Sequence, residues 1–126
     1  MGLDMEDDPL TRRIVSAALE VHSLLGPGLL ETIYEEALCH ELELRGIAFE
    51  RQVPVHVTYK GWTIAGQVLD LLVENEVVVE LKAVRKLPEV ATAQTLSYLR
   101  ATGMRRALLL NFGESRLTKG IKRLSL

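Results

Sequence analysis

The run Val77-Val78-Val79-Glu80-Leu81-Lys82 constrains this chain more than any other feature. Consecutive valines favour a strand. A strand's period of two puts Val78, Glu80 and Lys82 on one face and Val77, Val79 and Leu81 on the other. A carboxylate and an ammonium therefore point the same way from an otherwise apolar strand. Burying either alone costs several kcal/mol, so each needs a partner or a metal. The preceding apolar run, residues 68–73, repeats the pattern with Val68, Asp70 and Leu72 expected on one face. Glu74-Asn75 between the runs is a turn signal, so the two form a hairpin that brings Asp70 and Glu80 close together.

The rest of the chain supplies partners for that hairpin. Ile14, Ala17, Ala18, Val21, Leu24 and Leu25 recur at helical spacing, and Gly26-Pro27-Gly28 ends the helix. A second helix is expected up to about Arg45, with Leu30, Ile33, Tyr34, Ala37, Leu38, Glu41 and Leu42 along one side and Gly46 as its stop. The period then changes to two. Phe49–Tyr59 alternates apolar with polar residues, and Pro54 favours a sheet edge because it cannot donate to a ladder. Lys60-Gly61 turns the chain into a strand over about residues 62–73, bulged near Gly66. After the third strand, expected over residues 77–83, a helix is expected over 88–102 and an apolar strand over 107–112. A strand after a crossover helix indicates a parallel pair. The expected fold class is α/β, with a mixed central sheet flanked by helices. Residues 1–9 read as a loose acidic leader and 10–126 as one domain.

Charge is unevenly distributed. Residues 1–81 hold fifteen acidic and five basic side chains, whereas residues 82–126 hold two acidic and ten basic ones. A basic half beside a carboxylate site suits a phosphate backbone, although a solvated surface or an oligomer contact would look the same. The single cysteine, Cys39, cannot close an internal disulfide, and the acidic start is unlike a secretory signal, so a cytoplasmic location and no membrane span are expected. His22, His40 and His56 fit no zinc spacing. Trp62 reads as core or strand-edge packing in preference to a base-stacking platform.

Two carboxylates held together repel, and a divalent cation relieves the repulsion. Oxygen-only ligation favours Mg²⁺ or Mn²⁺ over zinc. Such an ion can orient a phosphodiester and activate a water. Asp70 and Glu80 are the candidate ligands, with the Leu81 carbonyl as a further one, and Lys82 is placed to assist the water or neutralise phosphate. A buried salt bridge of Lys82 to Glu80 or Asp70 explains the spacing equally well. Glu31, one turn before Glu35, fits either a site acid or a favourable charge at a helix N-terminus. Gln94 and Tyr98, four apart on the later helix, could face the site or pack helix on sheet.

Taken with their order along the chain, these residues resemble the GxxExxY family of the PD-(D/E)XK nuclease superfamily. Gly28-Leu29-Leu30-Glu31-Thr32-Ile33-Tyr34 matches the naming motif. The resemblance continues through Arg51-Gln52-Val53-Pro54, Asp70-Leu71-Leu72-Val73, Val79-Glu80-Leu81-Lys82-Ala83 and Asn111-Phe112-Gly113. It implies a restriction-endonuclease-type, three-layer-like core. It also implies Asp70, Glu80 and Glu31 as metal-binding acids, Lys82 as the Glu-x-Lys lysine, and Gln94 and Tyr98 as the Gln-x-x-x-Tyr element of a RecB-like branch. The usual proline before the aspartate is replaced by Leu69.

The resulting expectation is a divalent-metal-dependent nuclease, DNA favoured over RNA. Arg85, Lys86 and Arg100 are expected at phosphates, and a homodimer is one expected state. The alternatives are a nucleic-acid- or protein-binding module without turnover, and a structural protein whose acids form a salt-bridge network.

Overall fold

The computed structural model describes residues 8–126. Residues 1–7 of the expected leader lie outside the described residues. Asp8 is buried and caps the first helix, α1 (Pro9–Leu25): its Oδ1 accepts from Leu10 N at 3.0 Å and its Oδ2 from Thr11 Oγ1 at 2.9 Å. Such a cap satisfies amide groups the first turn leaves free. The elements that follow are α2 (Glu31–Leu44), β1 (Phe49–Tyr59), β2 (Trp62–Val73), β3 (Val77–Lys82), α3 (Glu89–Thr102), β4 (Arg106–Asn111) and β5 (Ile121–Ser125). A single 3₁₀ turn, Leu117–Lys119, precedes β5.

The sheet order is β1-β2-β3-β4-β5, and only β3 and β4 are parallel. The crossover between them is α3, as a parallel pair requires. β1 is an edge strand, where Pro54 costs no ladder bond on its open side. On β2 one extra residue sits near Gly66, between the pairs Val55↔Gln67 and Val57↔Ile64.

The sheet separates two cores. On one side α1 and α2 pack Ile14, Ala18, Tyr34, Leu38 and Leu42 onto Val77, Val79 and Leu81 of β3 and Leu108 and Leu110 of β4. On the other, Tyr98 and Leu99 of α3 pack onto Val55, Leu69, Leu72, Val78 and Ala107. This three-layer α/β arrangement with a mixed sheet is the expected one. The two faces of β3 also fall as its period dictates.

Three local expectations are overturned. On α2 the buried residues are Tyr34, Glu35, Leu38, Cys39 and Leu42, while Leu30 and Ile33 are exposed. The helix begins only at Glu31, and its inner face is set by Tyr34, whose ring stacks on Phe112 at 4.7 Å. On β2 the alternation does not run unbroken through Val68, Asp70 and Leu72. Leu71 and Val73 face α1 and α2, but Leu69 and Leu72 belong to the α3 core, so the phase shifts at Asp70. Opposite it on β1, Gln52 has a left-handed φ of 54°, which breaks the regular alternation there too. Trp62 is 73% exposed and packs into no core. β3 reaches only the last part of β2, so among the described residues no third strand pairs with the outer half of the β1–β2 ribbon.

Candidate active site

The site forms where β2 and β3 part. Glu74 and Asn75 both take left-handed backbone (φ 52° and 55°), the geometry of a tight hairpin turn, and the ladder pairs Leu71–Val73 with Val77–Val79. One step further, side chains replace the ladder. Asp70 N donates to Glu80 Oε1 at 3.0 Å, and Leu81 N donates to Asp70 Oδ2 at 2.9 Å. Each carboxylate thus reaches across to the other strand's backbone. β3 stays rigid because its opposite edge continues in parallel register with β4 as far as Lys82↔Asn111. There the buried Asn111 side chain clamps the strand end: its Oδ1 accepts from Val84 N and its Nδ2 donates to Val84 O, both at 3.0 Å. Gly113 follows because a Cβ there would run into the Val84 backbone.

Glu80 is 4% exposed, and its carboxyl is pushed up from 4.5 to about 9. Burial is the main cause, followed by the negative charge of Asp70 and a side-chain hydrogen bond with it; Lys82 pulls the other way. Two oxygen ligands of this kind, one of them nearly dry, are a suitable donor set for a hard divalent cation. Mg²⁺ in particular is held by one or two carboxylates with water and substrate phosphate completing its shell. In a strand the N–H and C=O of one residue point to the same edge, so the Leu81 carbonyl faces the same opening as Asp70. Among the described residues, no three His, Cys, Asp or Glu side chains converge to hold an ion on their own. Glu31 is therefore not gathered with Asp70 and Glu80 into a three-acid cluster, as the resemblance implied. The neighbourhood remains felt: burial, then the charge of Asp70, raises the Glu31 carboxyl, and Lys82 opposes this.

Glu31 owes its place to the turn before it. Tyr34 Oη donates to Gly26 O at 2.5 Å and accepts from Leu29 N at 3.1 Å, pinning Gly26-Pro27-Gly28 beneath the start of α2. The tyrosine of the naming motif thus acts on the loop, not on a ligand. Lys82 is half-buried, and among the described residues it joins no ion pair, which removes the inert salt bridge to Glu80 or Asp70. Tyr98 is buried against the sheet, and its hydroxyl is raised by burial and then by Glu80 and Asp70. Gln94 is exposed on α3, one turn before Tyr98. Arg85 and Lys86 are exposed between β3 and α3. Arg100 is exposed two residues past Tyr98, on the far side of the helix.

Two residues join the site that the sequence reading left without a role. Gln52 Nε2 donates to Glu35 at 3.0 Å (Oε1) and 3.2 Å (Oε2), and lies 3.4 Å from Asp70 Oδ1. Glu35 is buried and accepts from Arg51 Nε at 2.7 Å. Arg51 also donates to Glu36 at 2.9 Å, and these bonds hold its guanidinium protonated still more firmly than usual. Glu35 was findable, since it lies four residues after Glu31 and shares its helix face. Gln52 lies in the Arg51-Gln52-Val53-Pro54 stretch of the resemblance, but its left-handed backbone, which aims it at Glu35 and Asp70, has no signature in the neighbouring residues. Cys39 offers no second chemistry: burial pushes its thiol up to about 11, away from thiolate.

The mixed sheet between its helical layers thus opens on a paired Asp70 and Glu80, with Lys82 two residues on. Residues 8–124 match the PD-(D/E)XK nuclease superfamily, and the chain belongs to that superfamily. Comparison with curated proteins and with solved structures gives no significant match. No helix among the described residues is long and apolar enough to cross a membrane.

Proposed function

We infer that this chain is a divalent-metal-dependent nuclease that hydrolyses phosphodiester bonds, with DNA as its substrate and Mg²⁺ or Mn²⁺ as its metal. The observation that carries the reading is the crossed Asp70–Glu80 pair. A dry carboxyl group beside a second carboxylate is costly as an anion, and a divalent cation removes the cost. Asp70 and Glu80 would hold the ion, with the Leu81 carbonyl beside them. When bound, the cation supplies positive charge to a phosphate and makes a coordinated water more acidic.

The chain's own residues do the rest. Leu81 N–H and Gln52 hold the two oxygens of Asp70, fixing its orientation. Lys82, on the Glu80 face of β3, positions the attacking water and offsets charge building on the phosphate. Glu31 adds negative field at the edge of the site, and Tyr98 walls it. Arg85 and Lys86, three and four residues after Lys82, meet the phosphates on either side, and Arg100 extends that basic surface. DNA is preferred on the resemblance to the GxxExxY family and the RecB-like branch.

The test is cleavage of labelled single- and double-stranded DNA and RNA in Mg²⁺ or Mn²⁺. Metal-dependent cleavage that disappears in Lys82→Ala supports the reading, while equal residual cleavage by wild type and Lys82→Ala sinks it. One observation favours the second reading, a binding module without turnover: among the described residues Glu31 does not join Asp70 and Glu80 in a three-acid cluster that could hold an ion. Nucleic-acid binding with no cleavage in any divalent metal would select it.

A further inference from the structure

The outer half of the β1–β2 ribbon has no part in the site described above, yet it leads directly into it. β3 pairs with β2 only over Leu71–Val73, so the ribbon from Trp62 back to Asp70 projects past the sheet. Eight residues of strand span roughly 26 Å at ~3.3 Å each. In this ribbon Val57 pairs with Ile64 and Tyr59 with Trp62, which puts all four side chains on one face. They are 42%, 47%, 61% and 73% exposed, respectively. A bare two-stranded ribbon is marginal in water, and an uncovered row of this size marks a contact surface.

Its chemistry narrows the partner. The two flat rings stand opposite each other at the tip, and Lys60 Nζ lies 5.4 Å from the Tyr59 ring centroid. Residues 51–69 contain Arg51, His56 and Lys60 and no acidic side chain, in a half of the chain that is otherwise strongly acidic. Arg51 is spent on Glu35 and Glu36 at the base, which leaves Lys60 as the cation at the tip. Paired rings beside a lysine, in an acid-free stretch, match what a nucleic-acid strand offers: bases to stack and phosphates to neutralise.

We propose that the β1–β2 ribbon is a nucleic-acid arm, on which Trp62 and Tyr59 stack unpaired bases of the strand whose phosphodiester is held at Asp70 and Glu80. The proposal rests on the nuclease reading for the second half of that statement. It deepens that reading by giving the substrate unstacked, single-stranded character some 26 Å from the reacting phosphate. A fully paired duplex offers no free base face there and should bind less well.

Trp62 is the single tryptophan of the chain, so its emission reports on the arm alone. The full chain is titrated with oligo(dT) of about 20 nucleotides, and separately with a blunt duplex, with Ca²⁺ replacing Mg²⁺. Light scattering is recorded without nucleic acid. The expected result is saturable quenching of Trp62 by the single strand and weaker binding of the duplex. Single-strand affinity should fall roughly tenfold in Trp62→Ala and Tyr59→Ala, and recover in Trp62→Phe, since stacking rather than the indole is what matters. Unchanged emission with unchanged affinity in Trp62→Ala overturns the proposal. So does a concentration-dependent emission shift with doubled mass before any DNA is added, which assigns the face to a second copy of the chain. Quenching without cleavage in Mg²⁺ keeps the arm and removes the nuclease reading; cleavage without quenching does the reverse.

Discussion

The two ends of β2 differ as much as any two regions of the molecule. From Leu71 to Val73 the strand lies between β1 and β3, and Leu71 and Val73 are fully buried. From Trp62 to Gly66 it is paired on one edge only, and every residue is exposed. Asp70 sits at the boundary, where the ladder to β3 gives way to side-chain bonds. A carboxylate further out would have neither the Leu81 N–H nor Gln52 to hold its orientation. The inner end thus supplies rigidity and the outer end supplies surface, with the chemistry at the junction.

The largest effects are expected at that junction. Lys82→Ala and Asp70→Asn should lower metal-dependent cleavage by about 10²–10⁴-fold, with circular dichroism unchanged, as measured on labelled DNA. A smaller loss would mean that the junction orients substrate without serving the water. Next comes the stability contrast between the two ends. Leu71→Ala empties a buried position and should cost roughly 2–5 kcal/mol in urea unfolding, whereas Ile64→Ala on the ribbon should stay within about 0.5 kcal/mol. Equal costs would show that something covers the ribbon in solution.

The pH response sharpens the same contrast. The native state keeps a proton on Glu80 up to about pH 9, while the unfolded chain releases it near 4.5. The native state therefore binds more protons in that window, and metal-free stability should fall as pH rises through it, by up to about 1 kcal/mol per pH unit. Below 4.5 the contribution is fully present. Glu80→Gln should flatten the melting curve series, and added Mg²⁺ should flatten it in the wild type. At the strand opposite, Gln52→Ala should cut cleavage roughly tenfold, the scale of one lost hydrogen bond to a charged group. Gln52→Gly should do the same while easing the left-handed backbone, so its melting point should lie above that of Gln52→Ala. The smallest effect is on folding at the tip, where Trp62→Ala should leave stability within about 0.5 kcal/mol of wild type.

Much of this was legible from residue order. The helices and strands fall within a residue or two of where periodicity and the Gly and Pro stops put them: β3 ends at Lys82 rather than 83, and α3 begins at Glu89 with Pro88 as its cap. Pro54 marked the edge strand, and Glu74-Asn75 marked the hairpin on which Asp70 and Glu80 meet. Trp62 was misread because its neighbours alternate as in a half-buried strand. Burial depended instead on β3, which is half as long as β2 (6 residues against 12).

The chain's own order therefore determined that a carboxylate, a second carboxylate and a lysine would share one hairpin, because strand period and turn chemistry are local properties. Only the tertiary structure decided how they meet. The phase shift at Asp70, the left-handed Gln52 opposite it and the buried Glu35 behind it arise from two strands and a helix packing together. The near-complete burial that raises Glu80 comes from α3 closing on the sheet. Desolvation and the sharing of backbone donors depend on which surfaces touch, and sequence spacing carries no record of that.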